Sequence, residues 1–310
     1  MRIALYILLA MGLIFAGGRW ALSAGQDGGA SRPGPNATQA LPAEEIYAPA
    51  VLKTAELSTD GDLKLSGTAT PKTNLTVMAD EEVLRTIRVG ANSAWTIEVM
   101  VPAARIRRRI VSINLQSDLG EESLIKSEAG LLIVTEPVDF KQGLFMVRPG
   151  AATLVLQSPF DGLPRSAGLT LEAADYDDAG GVIFSGRSET PGRIRLSAGR
   201  SVLGETGPDA SGRWTLISSA GLPIGSYPMR LQLIAESGEA ISQIDVPFTR
   251  KPPAAITDTV EQDGLDFPAA PKPQAQFEPQ RWTLTRPLSG GGMQHTLLWS
   301  PEIPAPDADQ

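Results

Sequence analysis

Apolar and polar residues alternate in short runs along the first third of the chain. Because successive side chains of a β-strand point to opposite faces, a period of two predicts strands with one buried and one solvated face. Gly61, Gly90 and Gly120 separate the runs and are typical of turns. The alternating apolar positions are Leu63 and Leu65, Leu75 and Val77, Trp95, Ile97 and Val99, and Val111, Ile113 and Leu115. This spacing predicts one β-sandwich over residues 50–137.

The same pattern recurs 119 residues later, which is the separation of Trp95 and Trp214. It predicts a second β-sandwich over residues 168–250, and therefore an all-β chain of two sandwiches in tandem. Apolar strand positions, turn glycines and one tryptophan repeat, but no set of catalytic residues does. The matched positions are Leu52 with Leu171, Gly61 with Gly180, Gly67 with Gly186, Leu75 with Ile194, Val77 with Leu196 and Ile97 with Leu216.

Three segments connect or follow the predicted sandwiches. Residues 138–167 are interpreted as a strand-bearing connector that completes the edge of a neighbouring sandwich. Residues 251–280 are rich in proline and are predicted to be an extended linker. Residues 281–310 are predicted to be a β-hairpin and tail, with the turn at Gly290 to Gly292. Since a lone hairpin is marginally stable in water, it should dock on a sandwich, dock on another chain, or stay mobile.

The N-terminal segment, residues 1–24, is predicted to be a signal peptide or a membrane anchor. Its apolar run over residues 3–18 is short for a membrane-spanning helix and typical of the core of a secretory signal. Cleavage near Ala24 and an uncleaved helix ending near Leu22 both remain open. Residues 25–49 are predicted to be a flexible linker. The predicted location is the periplasm, either free or anchored to the inner membrane with most of the chain on the periplasmic side.

Composition narrows the classes of partner and of site. The chain carries 35 acidic and 27 basic residues, a balance that disfavours nucleic acid as a partner. It has no cysteine, which excludes disulfides and zinc–thiolate sites.

The second repeat also resembles a known family of domains. The second repeat resembles a bacterial Ig-like domain, of the kind that precedes a LysM domain in peptidoglycan-binding envelope proteins. No recognisable LysM motif follows residue 250, so the resemblance implies an envelope fold and compartment without LysM glycan binding. The residues that carry it are Ser185, Gly186, Pro191, Gly192, Gly204, Asp209, Gly212 and Trp214.

Four residues are predicted to belong to the structural core. Trp95 and Trp214 occupy one repeat position and each is expected to bury about 200 Å² between two sheets. Gly67 and Gly186 also occupy equivalent positions in the two repeats. The functional alternative for the two tryptophans is stacking on a ligand.

Two further sets are candidates for interaction. Trp282 and Trp299 lie near the ends of the terminal hairpin. A cluster of four arginines could bind anionic lipid headgroups or an acidic envelope polymer. The alternative is that these arginines lie on a solvated strand edge and prevent it from pairing with another strand. The members of this basic cluster are Arg105, Arg107, Arg108 and Arg109.

Catalytic and metal motifs are weak. His295 is the single histidine, and no G-x-S-x-G elbow accompanies it. The S-x-x-K match at residues 123–126 lacks the remaining penicillin-enzyme motifs. Asp175, Asp177 and Asp178 suit either calcium or a hydrogen-bonded turn, and the turn is favoured.

The sequence therefore predicts a non-catalytic scaffold or interaction protein with no cofactor, no metal and no nucleic-acid partner. Its predicted partner is an envelope protein or peptidoglycan, and the membrane through the N-terminal segment if that segment is uncleaved. The alternatives are a peptidoglycan- or carbohydrate-binding module and, behind it, an envelope hydrolase.

Overall fold

The structure is a computed structural model that describes residues 48–107, 109–120, 123–218, 221–252, 272–278, 281–288 and 291–301. The predicted signal peptide or anchor (1–24), nearly all of the first linker (25–49) and residues 253–271 of the second linker lie outside these ranges. Within them, no helix has the length and apolar character needed to span a membrane.

The first half of the described chain is built from short strands and one turn of helix. The elements are β1 (Val51–Leu57), β2 (Asp62–Thr68), β3 (Asn74–Ala79), β4 (Glu82–Arg88), β5 (Ala94–Met100), α1 (Ala103–Ile106), β6 (Ile110–Asp118), β7 (Leu124–Lys126), β8 (Gly130–Thr135), β9 (Gln142–Val147) and β10 (Leu154–Gln157).

The second half contains only strands among its described elements. They are β11 (Arg165–Ser166), β12 (Leu169–Asp177), β13 (Val182–Ser188), β14 (Arg193–Ala198), β15 (Ser201–Thr206), β16 (Arg213–Ile217), β17 (Gly225–Ile234), β18 (Ala240–Arg250), β19 (Gln274–Glu278), β20 (Arg281–Pro287) and β21 (Met293–Trp299). The predicted all-β fold class is confirmed.

Two antiparallel sheets enclose the first core and form what we call the N-terminal sandwich. One has the order β1-β2-β5, and the other has the order β10-β9-β8-β6-β3-β4 with β7 on β6. The alternating apolar positions point inward from both sheets, as their period of two predicts. Leu63, Leu65 and Ile97 from the smaller sheet meet Leu75 and Ile113 from the larger one.

A second pair of antiparallel sheets forms the C-terminal sandwich. Its sheets have the orders β16-β13-β12-β21-β20-β19, with β11 on β12, and β15-β14-β17-β18. Phe184, Trp214 and Leu216 pack against Ile194 and Phe248 in its core.

The irregularities of the strands repeat along with the strands. A bulge between Leu52 and Thr54 in the β1–β2 pair recurs between Leu171 and Ala173 in the β12–β13 pair. A second bulge, between Val77 and Met78 in β3–β4, recurs between Leu196 and Ser197 in β14–β15. Each pair of bulges has the separation of the sequence repeat. The strand orders also correspond, β1-β2-β5 with β12-β13-β16 and β6-β3-β4 with β17-β14-β15, so six strands of each sandwich are equivalent.

A third apolar cluster, the junction core, joins the two sandwiches. Strand β8 is buried on both faces: Leu131 and Ile133 enter the N-terminal sandwich, whereas Leu132 and Val134 enter the junction. Phe145 and Val155 extend the junction core on the N-terminal side, and Trp282, Leu284 and Leu298 form its other side. The two sandwiches therefore share an apolar interface.

The C-terminal hairpin docks on a sandwich, which is the first of the three outcomes left open by the sequence. Strand β21 pairs with β12 from Gln294 to Leu297 and extends the sheet. Leu297 and Trp299 enter the C-terminal core, whereas Leu298 faces the junction. The hairpin supplies side chains to two cores at once.

The predicted linker 251–280 ends earlier than the proline content indicates. Residues Gln274–Glu278 form β19, which pairs with β20. Ala275 is buried in the junction core and Phe277 packs against it, since period-two apolar positions outweigh the neighbouring prolines once a partner strand is present. The predicted connector 138–167 is divided, because β9 and β10 join the N-terminal sandwich and β11 pairs with β12.

Candidate interaction site

The two repeated tryptophans are packed over the two repeated glycines. Gly67 lies opposite Trp95 in the β2–β5 pair, and Gly186 lies opposite Trp214 in β13–β16. A Cβ on Gly67 would stand 2.7 Å from Cζ2 of Trp95, and one on Gly186 would stand 2.6 Å from Cζ2 of Trp214. Each would also overlap a backbone carbonyl oxygen, that of Val51 or Thr170. Both indoles are buried, so they form core walls and not ligand platforms.

The structure divides the predicted basic cluster. Arg105 is buried, donates from Nη1 to the carbonyl oxygen of Ala79 at 3.1 Å, and forms ion pairs with Asp80 and Glu82. Arg107 and Arg109 are exposed, while Arg108 lies outside the described residues. Arg105 thus holds a loop of the N-terminal sandwich and is not part of a free basic surface.

The two tail tryptophans are also buried. Trp282 lies in the junction core, where its ring meets Phe160 at 5.7 Å and Phe277 at 4.8 Å between centroids, in edge-on geometry. Trp299 lies in the C-terminal core. Neither indole faces solvent, so both act in holding the hairpin to the sheet.

A buried polar cluster surrounds Asp175 beside the junction. The carboxylate accepts hydrogen bonds from the amide of Thr153 at 2.8 Å, from its hydroxyl at 2.7 Å and from the hydroxyl of Thr296 at 2.6 Å. Burial raises the pKa of Asp175 above its ordinary value, and these hydrogen bonds oppose the rise. The cluster ties β12 to β21 and to the β9–β10 loop.

Arg286 and Gln294 continue this cluster toward the surface. Nη2 of Arg286 donates to the carbonyl oxygen of Arg148 and to Oε1 of Gln294, both at 2.9 Å. Nε2 of Gln294 donates to the carbonyl oxygen of Ala151 at 3.1 Å. Burial lowers the pKa of Arg286, while the charge of Asp175 opposes that change. The β9–β10 loop is therefore held in one position by side chains of the hairpin.

The remaining candidates for chemistry serve as structural contacts. His295 stacks on Tyr176 with centroids 4.6 Å apart, and burial lowers its pKa. Asp177 accepts from the amide of Gly181 at 2.8 Å, and Asp178 accepts from the amide of Met293 at 2.8 Å. In the described part of the chain, no three acidic, histidine or cysteine side chains are grouped to hold a metal ion.

An open cleft lies between the β9–β10 loop and the outer face of the C-terminal sandwich. It encloses about 300 Å³, with Arg148 and Ala151 on the loop side and Ile183, Thr215 and Ile217 on the sheet side. A neighbouring cleft of about 210 Å³ shares Ile183 and Ile217 and extends the groove along the sheet. The floor of this groove is apolar although it faces solvent, and Ile217 is 68% exposed.

The N-terminal sandwich carries charges at the equivalent place. Ile183 and Ile217 are cross-strand partners, and the residues 119 positions earlier, Lys64 and Glu98, are cross-strand partners too. Nζ of Lys64 lies 3.1 Å from Oε1 of Glu98. The sequence interpretation missed the isoleucine pair, although comparing the outward positions of the two repeats would have revealed it. We call Ile183, Thr215 and Ile217 the β16 patch.

Comparisons with known proteins leave the family open. No family model matches the chain, and no curated protein matches it. One solved structure to which it is similar is the "Central Fibronectin-III array of RIM-binding protein", at 12% identity over 84% of this chain and 88% of that chain. The TM-score is 0.23, at which the similarity carries no argument about fold or function.

Proposed function

We propose that the protein is a non-catalytic scaffold of the bacterial cell envelope, built from two tandem Ig-like sandwiches that present a binding surface to an envelope partner. The observation that carries this proposal is the junction core. Its residues come from both sandwiches and from the hairpin, and Phe145, Val134 and Leu298 are all fully buried in it. Such an interface fixes two sandwiches as one body, which a spacer or scaffold requires.

The placement of the polar side chains supports a structural role. Burial shifts the pKa values of Asp175, Arg286 and His295, and each of these side chains is engaged in contacts that hold the hairpin. The β16 patch is an apolar surface at the floor of a groove. A binding surface on a rigid body fits an interaction protein better than an enzyme.

The envelope location rests on the N-terminal sequence pattern and is testable with a single introduced cysteine. The chain has no cysteine of its own, so a Val202→Cys variant carries one reactive thiol on an exposed side chain. A maleimide that cannot cross the cytoplasmic membrane should label it in cells whose cytoplasmic membrane is intact. Labelling only after lysis would contradict export, and Leu231→Cys, at a buried position, serves as the unreactive control.

The scaffold role is tested with purified full-length protein and purified peptidoglycan. We expect no release of soluble fragments from peptidoglycan, and protein-to-protein adducts when cells are treated with an amine-reactive crosslinker. Release of fragments would overturn the non-catalytic assignment. Sedimentation with peptidoglycan in the absence of protein adducts would favour the carbohydrate-binding alternative.

A further inference from the structure

We propose that the β8–β9 loop docks on a lipid bilayer with anionic headgroups, with Val138 and Phe140 entering the apolar interface and exposed basic residues beside them contacting the headgroups. We call Val138 and Phe140 the loop tip. This inference goes beyond the scaffold proposal, because it concerns the N-terminal sandwich and a lipid surface and needs neither the β16 patch nor a protein partner.

The loop tip holds two apolar side chains in solvent. Val138 is 77% exposed, the largest exposed fraction of any large apolar residue in the described part of the chain, and Phe140 is 58% exposed. Their loop follows Thr135 and Gln142, the pair of residues at which β8 and β9 end their ladder. Apolar side chains that are grouped in solvent mark a contact with a protein or a membrane.

The loop that carries these side chains is fixed in one shape. The amide of Glu136 donates to the carbonyl oxygen of Lys141 at 2.9 Å and closes the loop. The carboxylate of Glu136 accepts from the amides of Val138 at 2.9 Å and Asp139 at 2.6 Å. Phe140 has a φ of 54°, a strained value for a residue with a Cβ, and strain that the surroundings maintain points to a function at that residue. A fixed loop also loses little entropy on binding.

Exposed basic residues border the loop tip and match an anionic surface. The amide of Thr135 donates to the carbonyl oxygen of Arg109 at 3.0 Å, so the β5–β6 loop lies directly beside the base of the β8–β9 loop. Arg107 and Arg109 of the β5–β6 loop are exposed, and so is Lys141. Each basic residue held close to an anionic bilayer strengthens binding about fivefold.

The acidic residues nearby weaken this attraction only in part. The carboxylate of Glu136 is occupied by the amides of its own loop, which leaves Asp139 as the exposed acidic residue there. Glu81 and Glu82 belong to the β3–β4 turn, and Glu82 is ion-paired with Arg105. Strand β3 lies two strands away from β8, about 10 Å, at which distance salt screens most of the interaction between exposed charges.

The chain that precedes β1 favours a bilayer as the occupant. The apolar run over residues 3–18 belongs to the predicted signal peptide or anchor, and the predicted linker 25–49 follows it. A flexible linker of this length spans about 25–30 Å. The seven residues of β1 span about 23 Å as a strand. An uncleaved anchor therefore holds the loop tip within reach of the membrane, where tethering makes a weak contact sufficient.

The test compares the two ends of the N-terminal sandwich in full-length protein. Because the chain has no cysteine, Val138→Cys and Leu124→Cys each accept one environment-sensitive fluorophore. Leu124 is 60% exposed and pairs with Asp118 at the other end of β6, where Ala48 contacts Thr70 and the chain enters β1. With vesicles of phosphatidylglycerol and phosphatidylcholine, the emission from position 138 should shift to the blue, and that from position 124 should shift less. Attachment through the N-terminal segment alone would favour position 124.

Variants separate the apolar contact from the charge. Phe140→Ser, and Arg107→Gln combined with Arg109→Gln, should each raise the lipid concentration needed for half of the shift on the order of tenfold. Asp139→Asn should lower that concentration. The arginine variant should matter only when phosphatidylglycerol is present. Val202→Ser is the matched control, since it removes an exposed apolar side chain from the other sandwich, and it should have no effect.

The outcomes that overturn the proposal are distinct from those that test the scaffold. No shift at position 138 with phosphatidylglycerol vesicles would exclude bilayer docking. Sensitivity to the arginine variant without sensitivity to Phe140→Ser would show attraction to an anionic surface and no insertion of the loop tip. A photo-crosslinker at position 138 that captures a protein in cells, with no shift on vesicles, would assign the loop tip to a protein. Each result leaves the amine-crosslinking test of the scaffold proposal unaffected.

Discussion

Two glycines and two tryptophans define the sandwiches at the level of single residues. Gly67 and Gly186 lie in strands, and neither has a positive φ. Glycine is required there because there is no room for a Cβ, and not because of the backbone conformation. The indole across each strand pair occupies the volume that a Cβ would need. Because interiors are close-packed, even one methyl group must displace the ring or the backbone.

The first prediction tests this packing. Gly186→Ala should lower the free energy of unfolding by about 1–3 kcal/mol, because the methyl group would overlap the carbonyl oxygen of Thr170 and the ring of Trp214. The measurement is urea unfolding. Gly207→Ala is the control, since its nearest neighbour is 3.6 Å away, and it should have little effect. A Gly186→Ala protein as stable as the wild type would disprove the clash.

A strained residue presents an aromatic ring to solvent in the β8–β9 loop. Phe140 has a φ of 54° and is 58% exposed. The carboxylate of Glu136 holds the loop by accepting from the amides of Val138 at 2.9 Å and Asp139 at 2.6 Å. A left-handed conformation costs a residue with a Cβ about 1 kcal/mol, so the fold imposes this geometry against local preference.

The second prediction follows from that strain. Phe140→Gly should raise the free energy of unfolding by about 0.5 kcal/mol, since relief of strain exceeds the added entropy of the unfolded chain. Val138→Gly in the same loop, at a residue without a positive φ, should lower it. Urea unfolding of both variants provides the check, and a loss of stability in both would contradict the strain argument.

At the level of elements, the C-terminal hairpin completes the C-terminal sandwich. Strand β21 carries two side chains into one core and one into the junction, so pairing and packing are inseparable. The carboxylate of Asp175 accepts three hydrogen bonds that join β12 to the β9–β10 loop and to β21, which are far apart in sequence. A buried group of this kind makes stability depend on pH.

The third prediction concerns that dependence. Because burial raises the pKa of Asp175 in the folded protein above the unfolded value of about 3.9, protonation favours the folded state. The contribution of this carboxyl is fully present below the unfolded pKa and is lost as pH rises through the folded pKa. The difference in unfolding free energy between wild type and Asp175→Asn should therefore fall from acidic to neutral pH. A difference that grows with pH in urea titrations would show that the hydrogen bonds outweigh burial.

At the level of the whole molecule, the junction core couples two repeats that each have a core of their own. Phe145 is fully buried between them, on the face of β9 opposite to Leu144 and Met146. Burying such a ring stabilises the interface by several kcal/mol, which is enough to make one sandwich depend on the other.

The fourth prediction is that this coupling is measurable by hydrogen exchange. Leu231→Ala, in the C-terminal core, should reduce the protection of amides in β2 and β5 as well as in β17, because the sandwiches unfold together. In a Phe145→Ala background the effect should stay within the C-terminal sandwich. If Leu231→Ala in the wild-type background reduced amide protection only in the C-terminal sandwich, the two sandwiches would be independent.

Local chemistry along the chain was enough to predict much of this architecture. Period-two runs and turn glycines predicted the strands. Trp95 and Trp214 occupy the same position of a sequence repeat, which predicted two equivalent cores with the same interior positions. The runs and turns depend on neighbours within a few residues, and the repeat is found by comparing the sequence with itself, so both can be recognised without knowledge of the fold. The hairpin was also predicted, from Gly290 to Gly292 between two apolar runs.

Contacts between distant segments required the folded structure. The run from Leu131 to Val134 is apolar throughout, and no local pattern states that alternate residues enter different cores. The pairing of β21 with β12 joins residues about 120 positions apart, as Asp175 and Thr296 show. Comparing the outward positions of the two repeats in sequence could have found Ile183 and Ile217. Only the structure shows that they lie at the floor of a cleft beside the β9–β10 loop, because a strand's sequence does not indicate what lies next to its exposed face.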